Sequence, residues 1–321
     1  MFRTRVLLLA FTVLLTPTCV VIAQTPTKPK LDELRKQLNA IADGLPFKLG
    51  YSLHHLKKNE RLDRLGDELF PTDSTLKVAI MCAAMEKVER GEINYYNVRP
   101  LLKEDRNSGR FLYYYQEGTE VEFKEALNLM VTVSDNTATL MVMRWIGGTD
   151  VVNQWLDRQG LQTTRLLAHH PLSDVWKRDE AETSKIIESI KQWGMGVSTP
   201  NEMRRLMEMI LEGKAGTAAA SDEMQRILNH QYHDEGIASQ IPPWVVVASK
   251  SGRSANSQSD MAIVHSPSGT YVLTIFTKES KDTRRGWQNE RSGAIRAISR
   301  AVWRYYHPDE KWSPPAGVEK Y

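Results

Sequence analysis

Apolar residues first recur at helical spacing in Leu31, Leu34, Leu38 and Ile41, with Gly44 placed to end the helix. Phe47, Leu49, Tyr51 and Leu53 then alternate with Lys48, Gly50 and Ser52, which predicts a half-buried strand, and Lys57-Lys58-Asn59-Glu60 turns the chain into a second, shorter one. From Pro71 to about residue 235 the period is helical. Thr72 or Asp73 can cap a helix whose Ala-rich apolar run, Val78 to Met85, supplies a face to bury. Phe123, Leu127, Met130 and Val131 mark a helix ending at Ser134-Asp135-Asn136, and Leu140 through Ile146 resume one that stops at Gly147-Gly148. Gly160 to Pro200 shows no clear period. Thr199-Pro200 opens a helix with Met203, Leu206, Met207 and Ile210 on one side. β-Formers return in Trp244-Val245-Val246-Val247-Ala248, which runs into Lys250-Ser251-Gly252, and in Met261 to His265. After the turn Ser266-Pro267-Ser268-Gly269 they continue from Tyr271 to Thr277, and a last helix carries Ile295, Ile298, Val302 and Tyr306 on one face.

Strands at both ends with helices between predict an α/β (α+β) fold: an antiparallel sheet built from both chain ends, with flanking helices and an all-helical part. The sheet part is expected at 24–70 and 240–310, the helical part at 71–239 and a flexible tail at 311–321. Across 321 residues, 41% hydrophobic and 25% charged content is that of a globular chain. The N-terminus departs from that average. Arg3 and Arg5 precede Val6-Leu7-Leu8-Leu9-Ala10-Phe11 and Leu14-Leu15, and Val21-Ile22-Ala23 follow, so residues 1–23 read as a cleaved secretory signal and the mature chain as periplasmic or secreted. The alternative, a membrane anchor, fits less well because Thr16-Pro17-Thr18 interrupts a run short of about 20 apolar residues. No stable anchor is expected after cleavage.

Loss of the leader removes two arginines from a net charge of +3 and leaves no dominant basic patch, so nucleic acid is not an expected partner. Cys19 leaves with the leader. Cys82 then stands alone, a small buried hydrophobe in a chain with no internal disulfide to rely on. His169 and His170 are adjacent and lack a third ligand at useful spacing, so no metal is expected.

Candidate chemistry gathers first at Ser74 and Lys77, one helical turn apart on one face. In a first turn, free N–H groups and the helix dipole favour developing negative charge, a good setting for a nucleophilic serine. Taken in order, Ser74-Thr75-Leu76-Lys77, Ser134-Asp135-Asn136 and Lys250-Ser251-Gly252 resemble the motif set of class A β-lactamases and penicillin-binding proteins. Ser134 follows Ser74 at the interval the family keeps, and Glu68-Leu69-Phe70-Pro71, Leu129-Met130-Val131-Thr132-Val133 and Thr199-Pro200 agree around the motifs. The resemblance spans about residues 35 to 305 and implies a β-lactamase-like fold.

It also implies roles. Lys77 takes the Ser74 proton if burial and neighbouring cations lower its pKa. Ser134 relays a proton to the leaving nitrogen. Lys250 holds down the Lys77 pKa and attracts a substrate carboxylate, while Ser251 adds a hydrogen bond. Gly252 leaves room for substrate against the strand. Asn136 binds a side-chain amide, Asp135 braces its loop, and the backbone N–H groups of Ser74 and Arg253 form an oxyanion hole. Arg253 itself reads equally as a carboxylate ligand or an exposed charge.

The family's deacylating segment, Arg-x-Glu-x-x-Leu-Asn, has no clean copy. Matching Thr164-Arg165-Leu166 puts His170 at the glutamate position; matching Arg178-Asp179-Glu180 keeps Glu180 but places Thr183-Ser184 where Leu-Asn belongs. The expectation is an exported, monomeric serine hydrolase without cofactor. It would form an acyl-serine with a small β-lactam or peptidoglycan-like amide or ester, and release it slowly. The alternatives are a penicillin-binding-type peptidase or esterase on cell-envelope compounds, and a non-hydrolytic β-lactam-binding or sensing domain.

Overall fold

The strand expected to be half buried is buried on both faces. A computed structural model describes residues 31–108, 110–167 and 180–318; the leader, His169-His170 and Lys177-Arg178-Asp179 lie outside the described residues. The chain opens with α1 (Leu31–Asp43) and β1 (Lys48–His55), and everything in β1 after Lys48 is buried. Leu49, Tyr51 and Leu53 face one way, onto Leu34 and Leu38 of α1. Such a leucine contributes roughly 1.5–3 kcal/mol when fully buried. The polar positions face the opposite way, where a second helix layer meets them: Ser52 Oγ donates to Asn201 Oδ1 at 2.6 Å, and His54 Nδ1 lies 2.6 Å from Glu208 Oε1. A Cβ at Gly50 would meet the Phe70 ring at 2.7 Å, so glycine lets that layer close on the strand. Alternation thus reported the two faces correctly, but the polar one is covered and hydrogen-bonded instead of wet.

From β2 (Glu60–Arg64) and β3 (Phe70–Pro71) the chain passes through a 3₁₀ turn, Asp73–Leu76, into α2 (Lys77–Glu89). The hairpin β4 (Val98–Pro100) and β5 (Glu120–Glu122) precedes α3 (Phe123–Thr132), α4 (Asn136–Ile146) and α5 (Thr149–Arg158). Then come β6 (Arg165–Leu166), α6 (Glu180–Trp193), β7 (Gly196–Ser198), α7 (Pro200–Leu211) and α8 (Ala218–Leu228). The C-terminal part forms β8 (Val247–Arg253), β9 (Gln258–Ser266), β10 (Gly269–Lys278) and α9 (Glu290–Tyr306).

Five strands make one antiparallel sheet in the order β2-β1-β10-β9-β8, drawn from both chain ends as expected. One face packs on α1 and α9 through Leu273, Ile275, Ile295, Ile298 and Val302. The other meets the helical part through Met261, Ile263, Val272 and Phe276. At the centre of that part α2 is buried from Lys77 through Met85, all round and not along one face. Cys82 is within it, and burial pushes its thiol pKa up, as expected of an inert hydrophobe. Among the described residues no helix is long and apolar enough to cross a membrane. In the tail, Trp312 sits edge-on to Trp244 at 6.3 Å between ring centroids. The edge strand β8 lies against the 3₁₀ turn, and that contact builds the site.

Candidate active site

Phe70 and Pro71 pair with Ser198 and Val197 of β7, and Thr72 N donates to Gly196 O at 2.9 Å, so the chain reaches the 3₁₀ turn already anchored. Neither Thr72 nor Asp73 caps α2 with its side chain. The 3₁₀ turn removes the need, because Thr75 N and Lys77 N donate to the carbonyls of Thr72 and Ser74. Asp73 has a left-handed φ of 48° and its carboxylate turns away to Ser257. Ser74 is half-buried within the turn.

One turn on, Lys77 is fully buried and donates to Ser134 O at 2.7 Å, Ser134 Oγ at 3.2 Å and Asn136 Oδ1 at 2.9 Å. Burial holds its amine well below the usual lysine range; the Lys250 charge lowers it further, against an opposing pull from Asp135. Ser134 comes to the amine from the α3–α4 connection through a φ of 59°. Asp135 makes that connection rigid. Its Oδ1 accepts from Ala138 N at 2.8 Å as the cap of α4, and Oδ2 accepts from the backbone N–H groups of Arg110, Phe111 and Leu112 at 3.1, 2.8 and 3.3 Å. Replacing Asp135 by alanine orphans four donors, and one unsatisfied buried group costs about 1–3 kcal/mol. Asp135→Ala is therefore expected to lose roughly 3–5 kcal/mol of stability, read as a lower urea midpoint at unchanged slope.

Lys250 on β8 is also fully buried, donating to Ser251 O at 2.7 Å. Burial lowers its pKa to about 7, opposed by Asp260 and Glu235. It lies beneath the cleft instead of facing it. A Cβ at Gly252 would fall 2.5 Å from Ser74 N, so the space this glycine leaves is filled by the serine's own turn. Asn136 is half-buried and spends its amide oxygen on Lys77.

The open cleft, about 210 Å³, is lined by Ser74, Ser134, Ser251, Gly252 and Arg253. Arg253 donates from Nη2 to Ser292 Oγ at 3.0 Å and lies 3.9 Å from Glu235 Oε1. The sequence reading missed Arg110, His233 and Glu235, which line the same cleft. His233, with Nδ1 3.8 Å from Glu235 Oε1, and then Arg253 hold the Glu235 carboxyl down to about 2. The titratable run His233-Asp234-Glu235 ahead of the C-terminal strands is the signal that could have found them.

Of the two deacylation candidates, His170 lies outside the described residues; for Glu180 only the backbone is described, where it opens α6. The preceding Thr164 is fixed by α7, its N and Oγ1 donating to Glu202 Oε2 at 2.7 and 2.6 Å. Chemically, a half-buried hydroxyl, a desolvated amine, a second hydroxyl bonded to that amine and a cleft-lining guanidinium can together support acyl transfer to serine.

The model of the beta-lactamase enzyme family matches residues 33–306. Beta-lactamase VEB-1 of Pseudomonas aeruginosa is 22% identical over 289 residues, 86% of this chain and 91% of that protein. A mutant of PBP-A solved as an acyl-enzyme complex with penicillin G shares the fold with a TM-score of 0.74 at 23% identity, over 88% of this chain and 100% of that one. A beta-lactamase from Chitinophaga pinensis DSM 2588 gives a TM-score of 0.74 at 23% identity, over 84% of this chain and 98% of that one.

Proposed function

Since the chain belongs to the beta-lactamase enzyme family and is a serine β-lactamase-like hydrolase, we propose that Ser74 attacks β-lactam amides and is carried through a covalent ester. One observation carries this reading: the desolvated amine of Lys77 is bonded to both Ser134 and Asn136 and lowered by the charge of Lys250, while Ser74, Ser134 and Ser251 line one cleft. Lys77 in its neutral form accepts the Ser74 proton as Oγ bonds to the carbonyl carbon. The backbone N–H groups of Ser74 and Arg253 take the oxyanion. As the tetrahedral species collapses, the ring C–N bond breaks, and the nitrogen receives its proton through Ser134 from Lys77. Arg253, the guanidinium at the cleft surface, holds the substrate carboxylate, and buried Lys250 acts through its charge on Lys77.

Release of the ester is slow on this reading, because the sequence holds no clean copy of the family's deacylating Arg-x-Glu-x-x-Leu-Asn segment. Losing a placed general base typically costs about 10²- to 10⁴-fold. A mutant of PBP-A, which shares the fold, forms an acyl-enzyme with penicillin G, the type of intermediate proposed for Ser74. We also assign residues 1–23 to an export leader, which makes the mature monomer periplasmic or secreted.

Time-resolved intact mass with a penicillin tests the whole reading. The expected course is rapid addition of one penicillin mass to Ser74 followed by slow loss. Rapid loss would mean efficient hydrolysis, and absence of both adduct and hydrolysed product would remove the β-lactam reading in favour of a peptidase or esterase. In the same experiment Glu180→Gln is expected to leave the deacylation rate within about twofold. A selective fall of about 10²-fold or more would instead identify Glu180 as the base.

A further inference from the structure

The turn bearing Ser74 is fastened to the sheet at three points, one of them a buried carboxylate that the chemistry above leaves unused. Ser259 Oγ donates to Thr72 O at 2.6 Å, and Gly252 brings β8 against Ser74 N. At the third point Ser257 Oγ donates to Asp73 Oδ2 at 2.8 Å. Ser257 is fully buried in the turn between β8 and β9, where its hydroxyl lies 2.6 Å from Ser254 Oγ and Ser254 N donates to Ser257 O at 3.0 Å. Arg291 of α9, itself 1% exposed, holds the same turn by donating to Ala255 O at 3.0 Å and Ser257 O at 3.3 Å.

Keeping a carboxylate here has a cost. Asp73 is 8% exposed, and burial pushes its pKa up to about 6 against the pull of Ser257, Ser254, Arg291 and Arg253. Its left-handed φ of 48° adds strain, which persists only where the surroundings enforce it. What the cost secures is a fixed relation between two pieces of chain: the turn carrying Ser74 N–H and the strand end carrying Arg253 N–H. Given the assignment of Ser74 as the nucleophile, we propose that Asp73 is a positioning residue, whose bond to Ser257 sets the spacing of the two N–H groups that bind the acyl-transfer oxyanion.

A misplacement of about 1 Å can cost on the order of 10²-fold in rate. Asp73→Ala and Ser257→Ala are each expected to lower the acylation rate constant about 10²-fold, with the dissociation constant of the non-covalent penicillin complex within about twofold. The second variant leaves the residue at 73 untouched, which separates the effect from the strain that alanine adds at a left-handed φ. The double variant is expected to be no slower than either single one. Asp73→Asn keeps an acceptor for Ser257 and tolerates the left-handed backbone, and so should stay close to wild type. Affinity for a boronic acid, which forms an anionic tetrahedral adduct on serine, should fall in parallel with the rate. Single-variant rates within about twofold of wild type, losses that add in the double variant, or an unchanged boronate affinity beside a slowed rate would each overturn the proposal. A wild-type protein that takes up no penicillin removes the assignment of Ser74, and this proposal with it. A labelled wild type with unaffected variants removes the proposal alone.

Discussion

Ser74→Ala is expected to take up no penicillin at all, while wild type gains the full mass of the antibiotic. The mass balance is specific: opening a cyclic amide leaves the departing nitrogen tethered to the acyl group, so nothing is lost when the ester forms. Removing one hydroxyl from a half-buried residue at the cleft should cost the fold no more than about 0.5 kcal/mol, so unfolding will not confuse the result. The rate of β-lactam opening should fall by roughly 10⁴-fold or more, leaving only what binding and the backbone N–H groups supply. Ser134 and Ser251 line the same cleft and are the internal controls. An adduct that persists in Ser74→Ala, or a labelled peptide containing either of those serines in wild type, would move the nucleophile.

That Ser74 could be singled out from the chain alone reflects how local its signal is. A hydroxyl and an amine one turn apart, a Ser-Asp-Asn between helices and a Lys-Ser-Gly in a strand are short patterns, and the elements carrying them were legible from period and breakers. Phe123, Leu127, Met130 and Val131 are fully buried, and Met203, Leu206, Met207 and Ile210 likewise. What could not be read is whatever depends on a partner far along the chain. Alternation in β1 gave two faces but not the α7 layer that covers Ser52 and His54. Thr72 and Asp73 have the composition of caps, yet a 3₁₀ turn does that work, and Asp73 finds its hydroxyl 184 residues away. Gly252 has room beside it on sequence grounds; the Ser74 turn fills that room. Lys250 and Arg253 are both cations near one glycine, and burial alone decides that the first lies under the cleft and the second on it. Arg110, His233 and Glu235 sit in connections with no period, where pattern reading has least to work with.

Lys77→Met is the second large loss expected, about 10²- to 10⁴-fold in acylation at neutral pH, the range for removing a general base. Methionine nearly matches the volume, so the change removes the proton acceptor with little change in packing. Lys77→Arg should not restore activity, because guanidinium stays protonated and offers no lone pair. The pH profile carries the mechanistic content. With burial and Lys250 holding the amine well below its ordinary range, wild-type acylation should already be on its plateau well below pH 10 and decline only on acidification; Lys77→Met should lack that decline. Acylation that climbs steadily toward pH 10 would mean that Lys77 stays protonated and is not the base. The same desolvation marks stability. Between its lowered folded value and the ordinary lysine value, the folded chain binds fewer protons at this site than the unfolded chain, so stability rises with pH across that window. Lys250, lowered to about 7, contributes in the same direction. Lys77→Met is therefore expected to flatten the rise in urea midpoint above neutral pH while leaving part of it, from Lys250, in place. A variant that loses acylation and keeps the full slope would separate the proposed catalytic amine from the desolvated one, whose Nζ is bonded to Ser134 and Asn136.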